Sequence, residues 1–303
     1  MINTVGLLIG SAGNVIGDNT VQSNTDNYSI VAGNQLEILL CQIPESIDWP
    51  AHVRLAGSLT GISGQSGITV ASDAVTIDLG GHALMGVAGS LKGVIVSGAR
   101  ADLVIRNGTV RSWGGDGIDA GTSTNGQFDR LQLTNNGGRG MNIGDRALVT
   151  DCAAKQNNGH GFFGGIIVTV TRCHAALNIG FGISVSETAQ IEKCNLNNNG
   201  SGGIAVANNS VVRENNCDFH TTAAGIVVTG SRNRIDGNHL TRNLNGITLT
   251  VSASNNTVVR NSASGSTGSG TPSANYNIIG ASNDLGPIGT AASSTSPWAN
   301  LSF

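Results

Sequence analysis

Gly182-Ile183-Ser184-Val185, Gly203-Ile204-Ala205-Val206 and Gly225-Ile226-Val227-Val228 repeat one pattern: glycine, aliphatic, any residue, aliphatic. It recurs at Gly67-Ile68-Thr69-Val70, Gly93-Val94-Ile95-Val96 and Gly246-Ile247-Thr248-Leu249, and shortens to glycine plus one large apolar residue at Gly117-Ile118, Gly140-Met141 and Gly161-Phe162. The steps between these glycines are 26, 24, 23, 21, 21, 21, 22 and 21 residues. Helical solenoids need about 33 residues or more per repeat. Short β-branched segments punctuated by glycine point to strands instead.

Two further columns keep step with the glycines. Asn107, Leu131, Cys152, Cys173, Cys194, Asn215, Asn238 and Asn261 each follow a large apolar residue, aliphatic in all but one case, by three positions. Asn136, Asn157, Asn178 and Asn199 each stand four residues before a repeat glycine. Stacked amides can hydrogen-bond from coil to coil, and Asn tolerates the left-handed backbone of a sharp corner. These patterns predict an all-β fold, a right-handed parallel β-helix of about ten coils, each 21–26 residues long. Coils then stack at about 4.8 Å. Ile118, Ile183, Val185, Ile204 and Val206 are the expected inward stacks. No proline lies between 51 and 271, as doubly paired strands require.

Composition agrees and narrows the function classes. The chain of 303 residues holds 44 Gly and 33 Asn, with 12% charged and 4% aromatic residues. Its formal net charge of −3 and three lysines argue against nucleic-acid binding. No apolar run approaches the roughly 18 residues of a membrane helix. The first residues carry no basic flank of a secretory signal, yet low charge and abundant Ser, Thr and Asn fit an extracellular or cell-surface setting.

The expected organisation is an extra tail-like coil at 1–35, an N-terminal cap at 36–62, a β-helix body at 63–261 and a C-terminal coil and tail at 262–303. The pieces Gly6-Leu7-Leu8-Ile9, Asn14-Val15-Ile16-Gly17-Asp18-Asn19 and Asn27-Tyr28-Ser29-Ile30 repeat the plan of 246–278. Such a coil is either one piece of a tandem array of modules or a local coil that packs on its own cap, or it docks on the open end of another subunit. The last arrangement does not close and builds filaments.

Thr76-Ile77-Asp78-Leu79-Gly80-Gly81-His82, Ile105-Arg106-Asn107-Gly108-Thr109-Val110-Arg111 and Trp113-Gly114-Gly115-Asp116-Gly117-Ile118 resemble bacterial right-handed β-helix repeat proteins. These belong to the pectate-lyase-like superfamily, in the broad group with the periplasmic NosD-type proteins. The resemblance covers about 50–303. It implies the fold, and a choice among lyases, hydrolases and epimerases of acidic polysaccharides, tailspikes, adhesins and members without activity.

Before successive repeat glycines stand Lys92, Asp116, Arg139, His160 and Phe181. Asp119, Asn142 and Phe163 are expected on the adjoining outward positions, with Trp113 near the same corner. In an enzyme, Asp116, Asp119, Arg139 and His160 are the catalytic candidates. Lys92, Trp113, Asn142 and Phe163 are the substrate-binding candidates, Trp113 as a stacking platform for a sugar ring. The bland alternative is a surface ladder of charges. A polygalacturonase-type set is incomplete: Asn24-Thr25-Asp26 and Gly159-His160-Gly161 are present, but no Asp-Asp pair stands with them, and Arg234-Ile235-Asp236 lacks the lysine. A mixed-sign column, Arg106, Arg130, Asp151, Arg172, Lys193, Glu214 and Arg260, reads as a solubilising face. No metal spacing and no cofactor motif is evident, and the five cysteines read as thiols rather than ligands. Two functions follow: a structural rod that associates with itself, or a polysaccharide-directed β-helix.

Overall fold

The computed structural model describes residues 5–10, 15–19, 26–30, 35–270 and 272–303, with side chains from Leu8 to Gly10 and from Ile38 onward. Every regular element among them is a β-strand. One coil shows the plan. Phe162–Ile166 lies in a first sheet, Thr169–Thr171 in a second and His174–Ala176 in a third, and Phe181–Glu187 returns to the first. Pairing is parallel and steps by 21 residues here: Phe162↔Ile183, Val170↔Ile191, Ala175↔Leu196. Sheet one is a 12-stranded ladder ending at Tyr276–Ile278. Val104–Arg111 and Gln127–Thr134 run through a corner and join sheets two and three into one 23-stranded ladder.

The expected aliphatic stacks fill the core. Ile183, Ile204, Ile226 and Ile247 are fully buried along sheet one, as are Ile191, Val212, Ile235 and Val258 along sheet two. The repeat glycines have no left-handed φ. They are glycine because coils approach closely: a Cβ on Gly203 would stand 2.4 Å from the Gly225 carbonyl oxygen.

Each corner of the triangle is one residue with positive φ, followed by one inward ladder residue. In the coil from Phe162 the corner residues are Ile167, Arg172 and Leu177, with φ of 60°, 52° and 58°. Left-handed backbone costs a non-glycine residue about 1–2 kcal/mol. Each corner N–H is aimed at the next coil: Ile167 donates to Glu187 O at 3.1 Å, Arg172 to Glu192 O at 3.2 Å and Leu177 to Asn197 O at 3.2 Å.

The ladder residues then carry the polar bonds of the interior. Between sheets three and one, Asn136, Asn157, Asn178 and Asn199 are buried and linked Nδ2 to Oδ1 at 2.9–3.0 Å. His220 and Asn243 continue the column. Between sheets two and three the column runs Cys152, Cys173, Cys194, Asn215, Asn238, Asn261, Asn300, all buried. Asn107 is not its upstream member. Gly108 pairs with Leu131, and Asn107 is itself the corner residue, with φ 61°. Arg106 likewise sits on the strand before that corner, whereas Arg130, Asp151, Arg172, Lys193, Glu214 and Arg260 are corner residues. A third ladder, between sheets one and two, escaped the sequence reading: Ser210, Asn233, Asn256 and Asn283.

At the N-terminal end, Val15–Asn19 pairs in parallel with Gln35–Leu40 of the same chain. Val5–Ile9 pairs with Asp26–Ile30 in a separate two-stranded sheet. Of the tail-like coil, residues 1–4, 11–14, 20–25 and 31–34 lie outside the described residues, as does most of Asn24-Thr25-Asp26.

Candidate functional site

The outward face of sheet one gathers most of the candidates. Register places Ile95, Asp119, Asn142, Phe163 and Ser184 in one row up the coils. Lys92, Asp116, Arg139, His160 and Phe181 form the parallel row beside it.

The lower half is a polar relay. Lys92 Nζ is ion-paired with Asp119 Oδ2, and Asn142 Nδ2 donates to Asp119 Oδ1 at 2.7 Å. Burial pushes the Asp119 carboxyl up, but bonds from Lys92 and Asn142 and the Lys92 charge outweigh it. The net result lies below the usual carboxylate range. Asp119 is therefore held ionised.

The upper half is a stack. The Arg139 guanidinium carbon lies 4.3 Å from the centre of the Phe163 ring. His160 stacks on Phe163 at 5.3 Å and 15°, and on Phe181 at 6.0 Å and 20°. Burial first, and the Arg139 charge second, hold the His160 pKa below its ordinary value. The ring is thus neutral near pH 7. Its Nδ1 accepts the Phe181 N–H at 2.9 Å, which leaves Nε2 as the protonated nitrogen and an outward donor. Asp116 is tied similarly: its Oδ1 accepts the Arg139 N–H at 2.6 Å, with Arg139 Nη1 3.8 Å from Oδ2.

A glycine stripe makes this arrangement possible. Gly115, Gly138, Gly159 and Gly180 precede Asp116, Arg139, His160 and Phe181. A Cβ on Gly138 would meet Asp116 Oδ1 at 2.3 Å, and one on Gly180 would meet His160 Nδ1 at 2.5 Å. The bare backbone lets Asp116 and His160 lie along the axis and cap the next coil. Gly159-His160-Gly161 is one turn of this stripe, which accounts for its likeness to a hydrolase motif.

Trp113 does not belong to the face. It is 1% exposed, and its Nε1 donates to Leu84 O at 3.2 Å. Ser112 takes the corner with φ 62°, so Trp113 falls on the inward ladder position, where its N–H donates to Asn136 Oδ1 at 3.2 Å. A Cβ on Gly61 would stand 2.5 Å from the indole. The signal was available: Trp113 precedes Gly117 by four residues, the spacing of the Asn column.

His174 and His239 share an outward row of sheet three with Asn195 and Asn216 between them. Among the described residues, no three His, Cys, Asp or Glu side chains are grouped to hold a metal ion. No helix among them is long and apolar enough to cross a membrane.

The right-handed β-helix region family matches residues 92–231 and 181–284, so the chain belongs to that family. In fold it is similar to the A-module of the Azotobacter vinelandii mannuronan C-5 epimerase AlgE4. The TM-score is 0.57 and the identity 14%, over 93% of this chain and 85% of that one. The A-module of AlgE6, from the same organism, gives 0.53 and 12%, over 90% and 91%. At such identities the likeness is one of fold. No curated protein matches the chain in sequence.

Proposed function

We propose that this protein is a polysaccharide-directed β-helix whose sheet-one face, from Lys92 to Ser184, holds an acidic glycan chain. The observation that carries the reading is the Arg139–Phe163–His160–Phe181 stack on adjoining coils. It combines a cation, two aromatic rings and an N–H donor along one line, which are the groups a carboxylated sugar needs. Arg139 meets the carboxylate, His160 Nε2 donates to a ring or hydroxyl oxygen, and the phenyl rings hold the cation and the imidazole in place beside the sugar. Lys92, Asp119 and Asn142 form a fixed polar floor beneath the next unit. The shared fold with two mannuronan epimerase modules supports the ligand class. An extracellular setting fits such a ligand.

The site's chemistry favours holding over proton transfer. For His160 to act as a base through Nε2, Nδ1 must take the proton and release the Phe181 N–H. The test is titration with polymannuronate and polygalacturonate, with a neutral glucan as control. Binding that falls at least tenfold in Arg139→Ala and weakens with added salt bears the reading out. Equal binding by wild type and Arg139→Ala, or none by either, ends it. Product analysis in the same samples separates a binder from a lyase or epimerase.

End-to-end self-association is the second reading, favoured by the sequence likeness of 1–35 to the last coil. A chain starting at residue 36 provides its test in sedimentation. Assemblies formed by the full chain and lost on truncation are the expected result; identical monomers count against it.

A further inference from the structure

The C-terminal tail builds a second cleft, on the sheet-two face and beginning two coils beyond the end of the sheet-one stack. Its floor is the in-register row Arg234, Thr257 and Asp284 on the last strands of sheet two. Pro287, Ser296 and Trp298 from the tail line it, and its volume is about 380 Å³. Small-ligand pockets span about 300–1,000 Å³.

Three features define what fits there. First, the indole of Trp298 is 51% exposed in a chain that buries Trp113 and Tyr276 completely. Its backbone is pinned, with Trp298 O accepting the Arg260 N–H at 3.3 Å and its N–H donating to Ser296 Oγ at 3.2 Å. Gly286 permits this approach, since a Cβ there would lie 1.9 Å from Trp298 O. Second, the floor is rigid. The carboxylate of Asp236, which belongs to a residue 4% exposed, holds Arg234 Nε at 2.9 Å and Arg260 Nε at 2.6 Å. Arg234 Nη2 lies 2.8 Å from the same carboxylate, so the guanidinium is held in place where Arg234 lines the cleft. Third, the charges balance, with Arg234 and Arg260 against Asp236 and Asp284. No net field selects an ion. Donor, hydroxyl and acceptor succeed one another at about 4.8 Å along the row.

We propose that this cleft binds a neutral pyranose unit, with the sugar's apolar face on Trp298 and its hydroxyls spanning Arg234, Thr257 and Asp284. The aspartate carboxylate accepts from vicinal hydroxyls at two points, and the arginine, its bidentate edge held by Asp236, donates from its remaining N–H groups. The flat indole supplies apolar contact at small cost in side-chain freedom. The inference stands apart from the sheet-one reading, because no residue is shared. A glycan with neutral units could then be held at a point remote from the first face.

The experiment is titration of the full chain with cellotetraose, mannotetraose and maltotetraose, followed by tryptophan fluorescence and calorimetry. The expected result is saturable binding of at least one of them. Binding is lost in Trp298→Ala, weakened about tenfold in Asp284→Asn (about 1.4 kcal/mol) and unchanged in Arg139→Ala. Trp298 is half exposed, so its variant is expected to fold, and a thermal melt of each variant confirms that. No binding by the wild type overturns the proposal. So does binding that survives Trp298→Ala and Asp284→Asn, or binding that fails in Arg139→Ala.

Discussion

Two of the corner ladders meet the same demand with different side chains. At the corner between sheets three and one, amides run from Asn136 to Asn199, with Trp113 before them and the imidazole of His220 after. At the corner between sheets two and three, thiols fill the upstream half and amides the downstream half, meeting where Cys194 N donates to Asn215 Oδ1 at 2.9 Å. An amide in such a column both accepts from the coil before it and donates onward. A thiol contributes volume and one weak donor, which at Cys173 lies 3.3 Å from Thr171 O and 3.7 Å from Val149 O. The difference teaches that the left-handed corner is obligatory, whereas its inward neighbour is graded: any small or planar group fits, but only one that both accepts and donates, an amide or the neutral ring of His220, passes the bond on.

The sharpest way to break the comparison is at its aromatic member. Trp113→Ala should cost about 3–5 kcal/mol, because the cavity spans several glycine-lined coils. Chemical denaturation measures this, and a loss under about 1 kcal/mol would show that the indole is not a keystone of that end. Next comes the amide column. Asn178 Oδ1 accepts both the N–H and the Nδ2 of Asn157, at 3.1 and 2.9 Å. Asn178→Ala strands both donors in the interior and should cost about 3 kcal/mol, while Cys173→Ala at the matching thiol column should cost about 1 kcal/mol.

His220 gives the comparison a pH axis. Its Nδ1 faces Asn243 Oδ1 at 2.9 Å, and its Nε2 faces Asn199 Nδ2 at 3.3 Å. Nδ1 must therefore donate and Nε2 accept, which only the neutral ring does. Burial lowers its pKa, against an opposing bond to Asn243 and the charge of Asp218. The unfolded chain thus takes up this proton at a higher pH than the folded one. Its contribution to stability is full above the unfolded value of about 6.5 and declines as pH falls below it. His220→Asn should flatten that part of the stability profile, measured by denaturation at a series of pH values; an unchanged slope would assign the dependence to other groups. The smallest effect is expected at Cys194→Asn, which lengthens the amide run by one rung and should change stability by less than about 1 kcal/mol, whereas Asn215→Cys should destabilise.

The fold was legible because its causes recur with a period. The repeat glycines, the inward aliphatics and the column from Asn136 to Asn199 are forced by close coil stacking and by buried corners, so they print themselves at fixed intervals. Trp113 was misplaced because its residue type suggested a sugar platform, although its spacing put it on the inward column. Asn107 was misaligned by one position, since the strand Val104–Arg111 continues its pairing through the corner, where the polar run Arg106-Asn107-Gly108-Thr109 gives no apolar marker of the inward position. The ladder from Ser210 to Asn283 steps by 23, 23 and 27 residues and vanished against an Asn-rich background. For the candidate site, the two outward rows were readable from periodicity. Which members touch was not, because Lys92 reaches Asp119 diagonally over 27 residues, and the His160 proton position depends on one backbone N–H.

The parallel stacking described above also bears on how the chain is born. Every strand from Phe162 to Asn208 finds its earlier partner 21 residues upstream. Against 303 residues that separation is a fraction of about 0.07, the locality of a helical bundle rather than of an ordinary β protein. As the chain leaves the ribosome, each new coil meets a template already complete behind it. The solenoid can therefore grow in the direction of synthesis, one rung at a time, without waiting for its C-terminus.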